Sequence, residues 1–504
     1  MFKIRFLPDD IEINAVEGED LLSAQIRAGL RPDAPCGGQG SCGKCLVTVE
    51  DKEGSSREVL ACQYIIGSDL TVNVRTKAKI NILESGVKRE VSLAPRTDEG
   101  YAAAFDIGTT TVVCYLLDLS TGELKGKSSM LNPQSQYGAD VISRCEYAIN
   151  NGTGDLAQTI RNGMNELIDN ICREQDLDSD SIKMITVVGN TCMHHLFLGI
   201  DPSSLTVVPY EAKVKDEMVM KASEAELKAS EDAVLQVLPN IAGFVGADTV
   251  GCLLATAFDC LDELSLLIDI GTNGEMVMGN KDRMITCSCA AGPAFEGAKI
   301  ECGMRGTVGA IDHVKADGDR FSFHVIGDEE PEGICGSGLL DAVAVFLDLE
   351  IIDETGKIDM DSEYAFRLKN TDMPAVRFSD NVYLSQKDVR EVQLAKGAIA
   401  AGIELMAEKL GIRINDIEKV MIAGAFGNYM DPHSACRIGL LPAVLEDRIE
   451  MIGNAAGEGR MIASLNVNEF LHAQEIREKA EFLELASYPA FQDTFVDNLL
   501  FEQD

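Results

Sequence analysis

Two stretches far apart in the chain use the same device, and together they restrict the fold more than any other feature. The first is "YAAAFDIGTTTVVCYLLDLSTGEL", an apolar strand ending in Asp106, a turn through Gly108-Thr109-Thr110-Thr111, and an apolar strand ending near Asp118. The second is "LSLLIDIGTNGEMVMGNKDRMI", in which Asp269 precedes Gly271-Thr272-Asn273-Gly274. One such hairpin is a weak signal, more often a plain β-turn than a site. Two in one chain imply two similar lobes. The chemistry they suit is phosphate handling. Glycine permits a tight turn, the amides and threonine hydroxyls donate to phosphate oxygens, and aspartate holds Mg²⁺ through water.

A third element, "KVMIAGAFGNYMD", runs a strand into Gly424-Ala425-Phe426-Gly427, small enough for a backbone to lie against a flat nucleoside. Before it, Gly336-Ser337-Gly338 opens a helix whose Leu340, Val343, Ala344 and Leu347 keep helical spacing. The N-terminus of that helix could face phosphate, and ordinary turn-to-helix packing explains the segment equally well.

The first eighty residues have a different texture. Cys36, Cys42, Cys45 and Cys62 read C-x5-C-x2-C-x16-C, and glycines 37, 38, 40 and 43 lie among them. "FKIRFLP" and "DIEINAV" read as strands joined at Pro8-Asp9-Asp10, "GEDLLSAQIRAGL" as a helix, and "CLVTVED" and "DLTVNVR" as further strands. The sum is a small β-grasp domain. Its loop suits a [2Fe–2S] cluster, because backbone N–H groups on a glycine-rich wrap can point at the sulfurs. A zinc site remains open, although zinc usually takes paired C-x2-C knuckles and this loop has one. Four unligated thiols are the remaining reading.

The chain has 504 residues, 46% of them hydrophobic, enough for more than one core. Its formal charge of −38 argues against nucleic acid and against an anionic membrane surface. No signal-peptide core and no uncharged run of membrane-spanning length is evident, so the expectation is a cytoplasmic protein. Its 15 cysteines then serve metal or core rather than a disulfide framework. Expected boundaries are a β-grasp domain over 1–76, a charged linker over 77–100, a first lobe over 101–260 and a second over 261–504. The linker reads equally as a tether or as strands packed on a neighbour.

The order D-x-G-T, D-x-G-T, G-A-F-G resembles the superfamily of acetate and sugar kinases, actin and heat-shock chaperone ATPases. With the N-terminal cysteine loop, "VVGNTCMHHLFLGI", "GFVGADTVGCLLA" and "CAAGPAFEGAKIECGMRG", the chain resembles the reductive activators of corrinoid proteins over nearly its whole length. The resemblance implies a [2Fe–2S] ferredoxin-like domain ahead of a two-lobed, ribonuclease H-like (actin-like) ATPase, α+β then α/β. It implies that ATP and Mg²⁺ help return one electron to inactive cob(II)amide on a corrinoid protein. An external low-potential donor would resupply the cluster, and the nucleotide lobes of relatives suggest a homodimer.

On this resemblance Cys36, Cys42, Cys45 and Cys62 hold the cluster, while Asp106 and Asp269 organise Mg²⁺ and the attacking water. Gly108, Thr109, Thr110, Gly271, Thr272, Asn273 and Gly274 cradle phosphates, and Gly424, Ala425 and Gly427 face the nucleoside. Asp248 in "FVGADTVG" would position water or metal, and is equally readable as a buried capping aspartate. Larger relatives carry an extra domain for which the linker here leaves no room. Another branch bears C-terminal [4Fe–4S] clusters, but only Cys436 lies beyond residue 335. Plant-type [2Fe–2S] centres sit near about −400 mV, and the resemblance implies a cobalt couple lower still. A gap of order 100 mV amounts to about 2 kcal/mol for one electron, within the range of ordinary coupling between sites.

Other readings stay open. A small-molecule kinase with a redox-regulatory ferredoxin domain, a redox-sensing ATPase that only binds partners, and an activator of another low-potential enzyme would share the fold. Cys287, Cys289 and Cys302 have no fourth cysteine at ligand spacing. His194 and His195, read at a strand end, cannot share one strand face as a ligand pair. "KASEAELKASEDAV" reads as an acidic, solvated helix.

Overall fold

Alternation decides the first sheet. In β1 (Phe2–Leu7), Ile4 and Phe6 are buried while Lys3 and Arg5 face out, and Ile4 pairs with Ile13 of antiparallel β2 (Ile11–Ala15). Helix α1 (Leu21–Arg27) is capped by Asp20, which accepts from Ser23 N–H at 2.9 Å. β3 (Leu46–Asp51), β4 (Ser56–Leu60) and β5 (Leu70–Asn73) complete a sheet of order β2-β1-β5-β3-β4, with β1 and β5 parallel. Leu21, Leu22 and Ala24 of α1 close over Ile4, Phe6, Val47, Val49 and Val72. Each large side chain buried there contributes about 1.5–3 kcal/mol. This is the β-grasp arrangement expected. β4 is an addition to it, a polar edge strand with no apolar stripe to announce it.

The computed structural model describes residues 1–501 other than 9, 17, 31, 33, 35–37, 39, 41–44, 52–55, 75–88, 90 and 425–428. The chain divides into two compact units. The first comprises Met1–Lys79, Glu99–Val214 and Val219–Gln236, and the second Ile80–Asp98, Lys215–Met218 and Val237–Asp504.

Within the first unit, β6 (Tyr101–Ile107), β7 (Thr111–Asp118) and β8 (Leu124–Leu131) form an antiparallel meander. Helices α2 (Val141–Asn151) and α3 (Gly154–Glu174) then carry the chain to β9 (Ile182–Gly189), parallel to β6. Helix α4 (Thr191–Leu198), β10 (Met218–Lys221) and β11 (Val234–Val237) finish a sheet of order β10-β11-β9-β6-β7-β8. β6 and β9 are buried almost throughout, as central strands covered on both faces are.

Residues 221–234 are not the acidic helix expected. After one 3-10 turn (Ala222–Ala225), Glu226 takes a left-handed backbone, Leu227 is buried, and Ala222 N–H bonds Ala233 C=O at 2.9 Å. The segment is the connection between β10 and β11, and its buried apolar residues outweigh the helical preference of its charges.

The second unit repeats the scheme. Following α5 (Ala247–Thr256), β12 (Ser265–Ile270), β13 (Gly274–Gly279) and β14 (Met284–Cys289) form the meander. β15 (Ala310–Asp317), β16 (Arg320–Val325), β17 (Gly333–Ile334) and α6 (Gly336–Asp348) follow. A small sheet of β18 (Ala365–Arg367), β19 (Pro374–Arg377) and β20 (Tyr383–Ser385) leads into the long helix α7 (Gln386–Leu410). β21 (Lys419–Ala423) then lies parallel to β12, as β9 does to β6. With β22 (Ile449–Gly453) and β23 (Ala480–Phe482) the sheet order is β22-β21-β12-β13-β14-β23. α5 crosses the helix Ala455–Leu465 so closely that a Cβ on Gly459 would stand 2.0 Å from Gly251 C=O.

Of the described part of the expected linker, residues 89 and 91–98 belong to this unit and 99–100 to the first. Arg89 grips Glu469 through two N–H groups at 2.9 and 3.0 Å. Ala94 exchanges backbone bonds with Leu465 and Val467, and Asn466 donates to Ser92 C=O at 2.8 Å. Among the described residues no helix is long and apolar enough to cross a membrane.

Candidate nucleotide and cluster sites

The N-terminal site grows from the start of β3 and a single 3-10 turn. Cys45 is 3% exposed, and Cys62 sits in the turn Ala61–Gln63, which Ala61 N–H ties to Cys45 C=O at 2.9 Å. That tie brings the two sulfurs to 3.3 Å. The glycine loop returns to the same place: a Cβ on Gly38 would stand 3.8 Å from Cys62 Cβ, and one on Gly40 only 2.1 Å from Gln63 Nε2. Two converging thiols inside a close-wrapped loop are a fitting donor set for one metal of a cluster. Cys36 and Cys42 lie outside the described residues.

In the first lobe, Asp106 is half-buried at the end of β6, and Gly108 N–H closes the turn onto Thr111 C=O at 3.0 Å. Each turn carbonyl is then held from a different direction. Asn132 Nδ2 donates to Gly108 C=O at 2.8 Å, Arg144 Nη2 to Thr109 C=O at 2.7 Å, and Asn132 N–H to Thr110 C=O at 2.8 Å. In a trans peptide the N–H opposes the C=O, so the N–H groups of Thr109 and Thr110 point away from those donors. Asn190 Nδ2 fixes the Thr109 hydroxyl at 2.9 Å and its Oδ1 caps α4. Arg144 is fully buried; burial brings its guanidinium down to about 10, which leaves a positive charge against the turn at neutral pH.

In the second lobe, Asp269 ends β12 opposite Glu275 of β13 and beside Ala423 of β21. Gly271 N–H bonds Asn273 C=O at 3.0 Å, and the Thr272 hydroxyl donates to Glu296 at 2.7 Å. Gly274 is buried against Cys289 and Ile399. Gly424 follows β21 with φ +92°, and a Cβ there would stand 2.7 Å from Asp269 Oδ1. The third motif therefore touches the second; Ala425 and Gly427 lie outside the described residues. Asp248 opens α5 and accepts from Thr249 N–H at 2.8 Å, and Cys252 Sγ lies 3.8 Å from Asp269 Oδ2. Burial and the neighbouring Asp248 and Asp269 carboxylates push Glu275 well above the usual carboxylate range. Its Oε1 accepts from Ser288 at 3.2 Å. Among the described residues no three such groups stand at direct metal-ligand spacing.

Comparison with known proteins gives these geometries a family. Residues 263–504 match the model of the C-terminal domain of RACo, its ASKHA domain, 101–260 the RACo middle region, and 4–67 a 2Fe-2S iron-sulfur cluster binding domain. A corrinoid activation enzyme of Eubacterium limosum, RamQ, is 34% identical over 94% of this chain and 94% of its own length. This chain belongs to the family of reductive activators of corrinoid proteins. A solved reductive activator for a corrinoid, iron-sulfur protein is 30% identical, covering 99% of this chain and 98% of that one with a TM-score of 0.75. A reductase of Methanosarcina barkeri, specific for a Co(II) methylated-amine corrinoid protein, is 29% identical over 71% of this chain and 68% of its own. The activator thus carries a [2Fe–2S] ferredoxin-like domain and an actin-like, ATP-binding fold.

Several residues of the activator stand differently from their reading in the sequence. His194 and His195 lie in α4, not at a strand end. Lys213 N–H donates to His195 Nε2 at 3.0 Å, so the proton sits on Nδ1, which bonds Thr191 C=O at 2.8 Å. His194 is buried, which lowers it to about 3 and keeps it neutral. Gly336, Ser337 and Gly338 are buried at the start of α6, where a Cβ on Gly338 would meet Ile311 C=O at 2.3 Å. Burial holds the Cys287 and Cys289 thiols up, the latter to about 12. Cys287 packs on Met406, and Cys302 Sγ faces Asn381 C=O at 3.7 Å. Asn132, Arg144, Asn190 and Glu275 are the site residues that sequence reasoning did not name. Two of them left a trace there: Glu275 directly follows the second D-x-G-T-x-G, and Asn190 lies within "VVGNTCMHHLFLGI".

Proposed function

We propose that this activator uses ATP to deliver single electrons to the cob(II)amide of a corrinoid protein and so restore cob(I)amide for methyl transfer. A [2Fe–2S] cluster, when bound, supplies a one-electron carrier. Cys36, Cys42, Cys45 and Cys62 would hold it, and the Cys45–Cys62 approach at 3.3 Å supports that set. The observation that carries the reading is the presence, in one chain, of this thiol pair and of two equivalent D-x-G-T turns on two sheets of the same plan.

In the first lobe the Thr109 and Thr110 amides would receive phosphate oxygens, and the buried Arg144 charge behind the turn would favour the anion there. In the second, Asp269 and Asp248 would hold Mg²⁺ through water, and Glu275 would share that charge. Asp106 would orient the attacking water. Gly271, Thr272, Asn273 and Gly274 would offer the second turn to phosphate, and Gly424, Ala425 and Gly427 would serve the nucleoside. ATP need not touch the electron: its binding would favour the conformation that engages the oxidised partner, and hydrolysis would reset it.

The test is anaerobic. The protein, a cob(II)amide-loaded corrinoid protein, a reductant and Mg-ATP are mixed and the cob(I) absorption band is followed. A band that needs both ATP and Cys62 supports the reading. Equal reduction without nucleotide, or phosphorylation of a sugar or acid in its place, defeats it.

A further inference from the structure

Two thiols outside both sites stand within reach of each other. Cys145 on α2 and Cys192 in the first turn of α4 have their sulfurs 3.5 Å apart, at 0% and 2% exposure. Each is the chain neighbour of a side chain engaged at the first-lobe turn. Arg144, beside Cys145, donates to Thr109 C=O at 2.7 Å and to Gly138 C=O at 3.0 Å. Met193, beside Cys192, has its sulfur 3.2 Å from Arg144 Nη1 and 3.5 Å from Asn132 Nδ2. The pair thus joins the two helices that brace Thr109, through Arg144 in the first turn of one and Asn190 at the cap of the other. Their mutual hydrogen bond draws the Cys145 thiol down and pushes Cys192 well up, and either sulfur can donate in it.

We propose that Cys145 and Cys192 are an oxidisable dithiol whose disulfide loosens the Gly108–Thr110 turn. The oxidant is a small peroxide, since burial excludes bulky disulfides. The Cys145 thiolate attacks one peroxide oxygen; the O–O bond breaks, the departing oxygen takes a proton as water, and Cys145 becomes a sulfenic acid. The Cys192 sulfur then attacks Cys145 Sγ, the S–O bond breaks, and a second water leaves with the Cys192 proton. Two thiols lose two electrons and two protons, and the peroxide becomes two waters. A disulfide requires about 2.05 Å between sulfurs, and closing the 3.5 Å gap in a packed interior pulls on the first turns of α2 and α4. On this proposal that pull breaks one of the two bonds that Arg144 and Asn190 make to Thr109.

The effect on ATP rests on the nucleotide reading above; the disulfide and the turn do not. The test uses full-length protein purified without oxygen, with its iron in place, exposed to hydrogen peroxide. Peptide mapping by mass spectrometry reads the Cys145–Cys192 link. Amide hydrogen exchange reads residues 107–111, before and after reduction with a phosphine. The expected result is a linked peptide lighter by two hydrogens, exchange at Gly108, whose N–H closes the turn onto Thr111 C=O, faster by about fivefold, the equivalent of one lost hydrogen bond, and reversal by the phosphine. Cys145→Ser and Cys192→Ala should each abolish the peroxide-driven change. No link, or a link with exchange unchanged, overturns the proposal. ATP hydrolysis is followed alongside and should fall and recover with the link. Its absence in untreated protein would count against the nucleotide reading, while the link and the exchange still decide this one.

Discussion

Gly424 and Asp269 adjoin so tightly that the position of a β-carbon on the first is 2.7 Å from a carboxylate oxygen of the second. The parallel pairing of β12 with β21, which aligns Asp269 with Ala423, leaves the next residue nowhere else to go. Gly424, read from the sequence as a nucleoside contact, is therefore also the wall against which the aspartate rests.

Gly424→Ala should displace Asp269 and strain a backbone at φ +92°, at a cost of about 1–3 kcal/mol. The expected outcome is a lowered melting temperature and ATP hydrolysis reduced at least about tenfold, with the cluster's visible absorption unchanged. Unaltered hydrolysis would show that Asp269 does not depend on this contact.

Asp106→Asn and Asp269→Asn keep shape and remove charge. Each should lower ATP hydrolysis by about a hundredfold or more, the scale of removing one group that acts on the transition state. Iron content and far-ultraviolet circular dichroism should stay as in the parent protein.

Cys62→Ser takes away a sulfur 3.3 Å from Cys45 Sγ. Iron and acid-labile sulfide should be lost from protein made without oxygen, and electron delivery with them. Nucleotide binding, measured by calorimetry, should persist.

Arg144→Met would leave the Thr109 and Gly138 carbonyls without the donor they have now. Each buried group left unsatisfied costs about 1–3 kcal/mol. Chemical denaturation should show that loss, and the apparent ATP affinity should fall more than the stability alone explains.

Acid should act at Asp201, which Lys213 at 2.6 Å, then the Ser203 hydroxyl and N–H, hold down to about 2. A carboxylate depressed in the fold stabilises it above the unfolded value, and that contribution disappears as pH falls through the folded value. Stability should therefore drop between about pH 4 and pH 2, and Asp201→Asn should flatten that part of the curve. The group is exposed, so the effect should be small and should shrink further in salt.

The β-grasp strands and both D-x-G-T hairpins were legible because each is a local pattern: alternation in β1, apolar runs in β6 and β12, a glycine turn after each aspartate. β4 was not, since an edge strand with an open face needs no apolar stripe. Residues 221–234 carry charges typical of a helix, and only the pairing of Ala222 with Ala233 shows a connection between strands. His194 and His195 read as a strand end because "TVVG" stands only four residues before them; Asn190, by capping α4, starts a helix there instead. Asn132, Arg144 and Asn190 come from three separate segments and meet only when β8, α2 and α4 are folded around the first turn. Nothing local in the sequence announces such a meeting.

At Gly251 and Gly459 main chain rests on main chain, with no cushion of side chains between α5 and the helix Ala455–Leu465. Side chains can hop between rotamers and absorb a push; bare peptide groups in contact transmit it. Asp248 lies three residues before Gly251, within one helical turn. The two helices must therefore shift as one piece, and whatever presses on the later segment steers the carboxylate at the head of the earlier one.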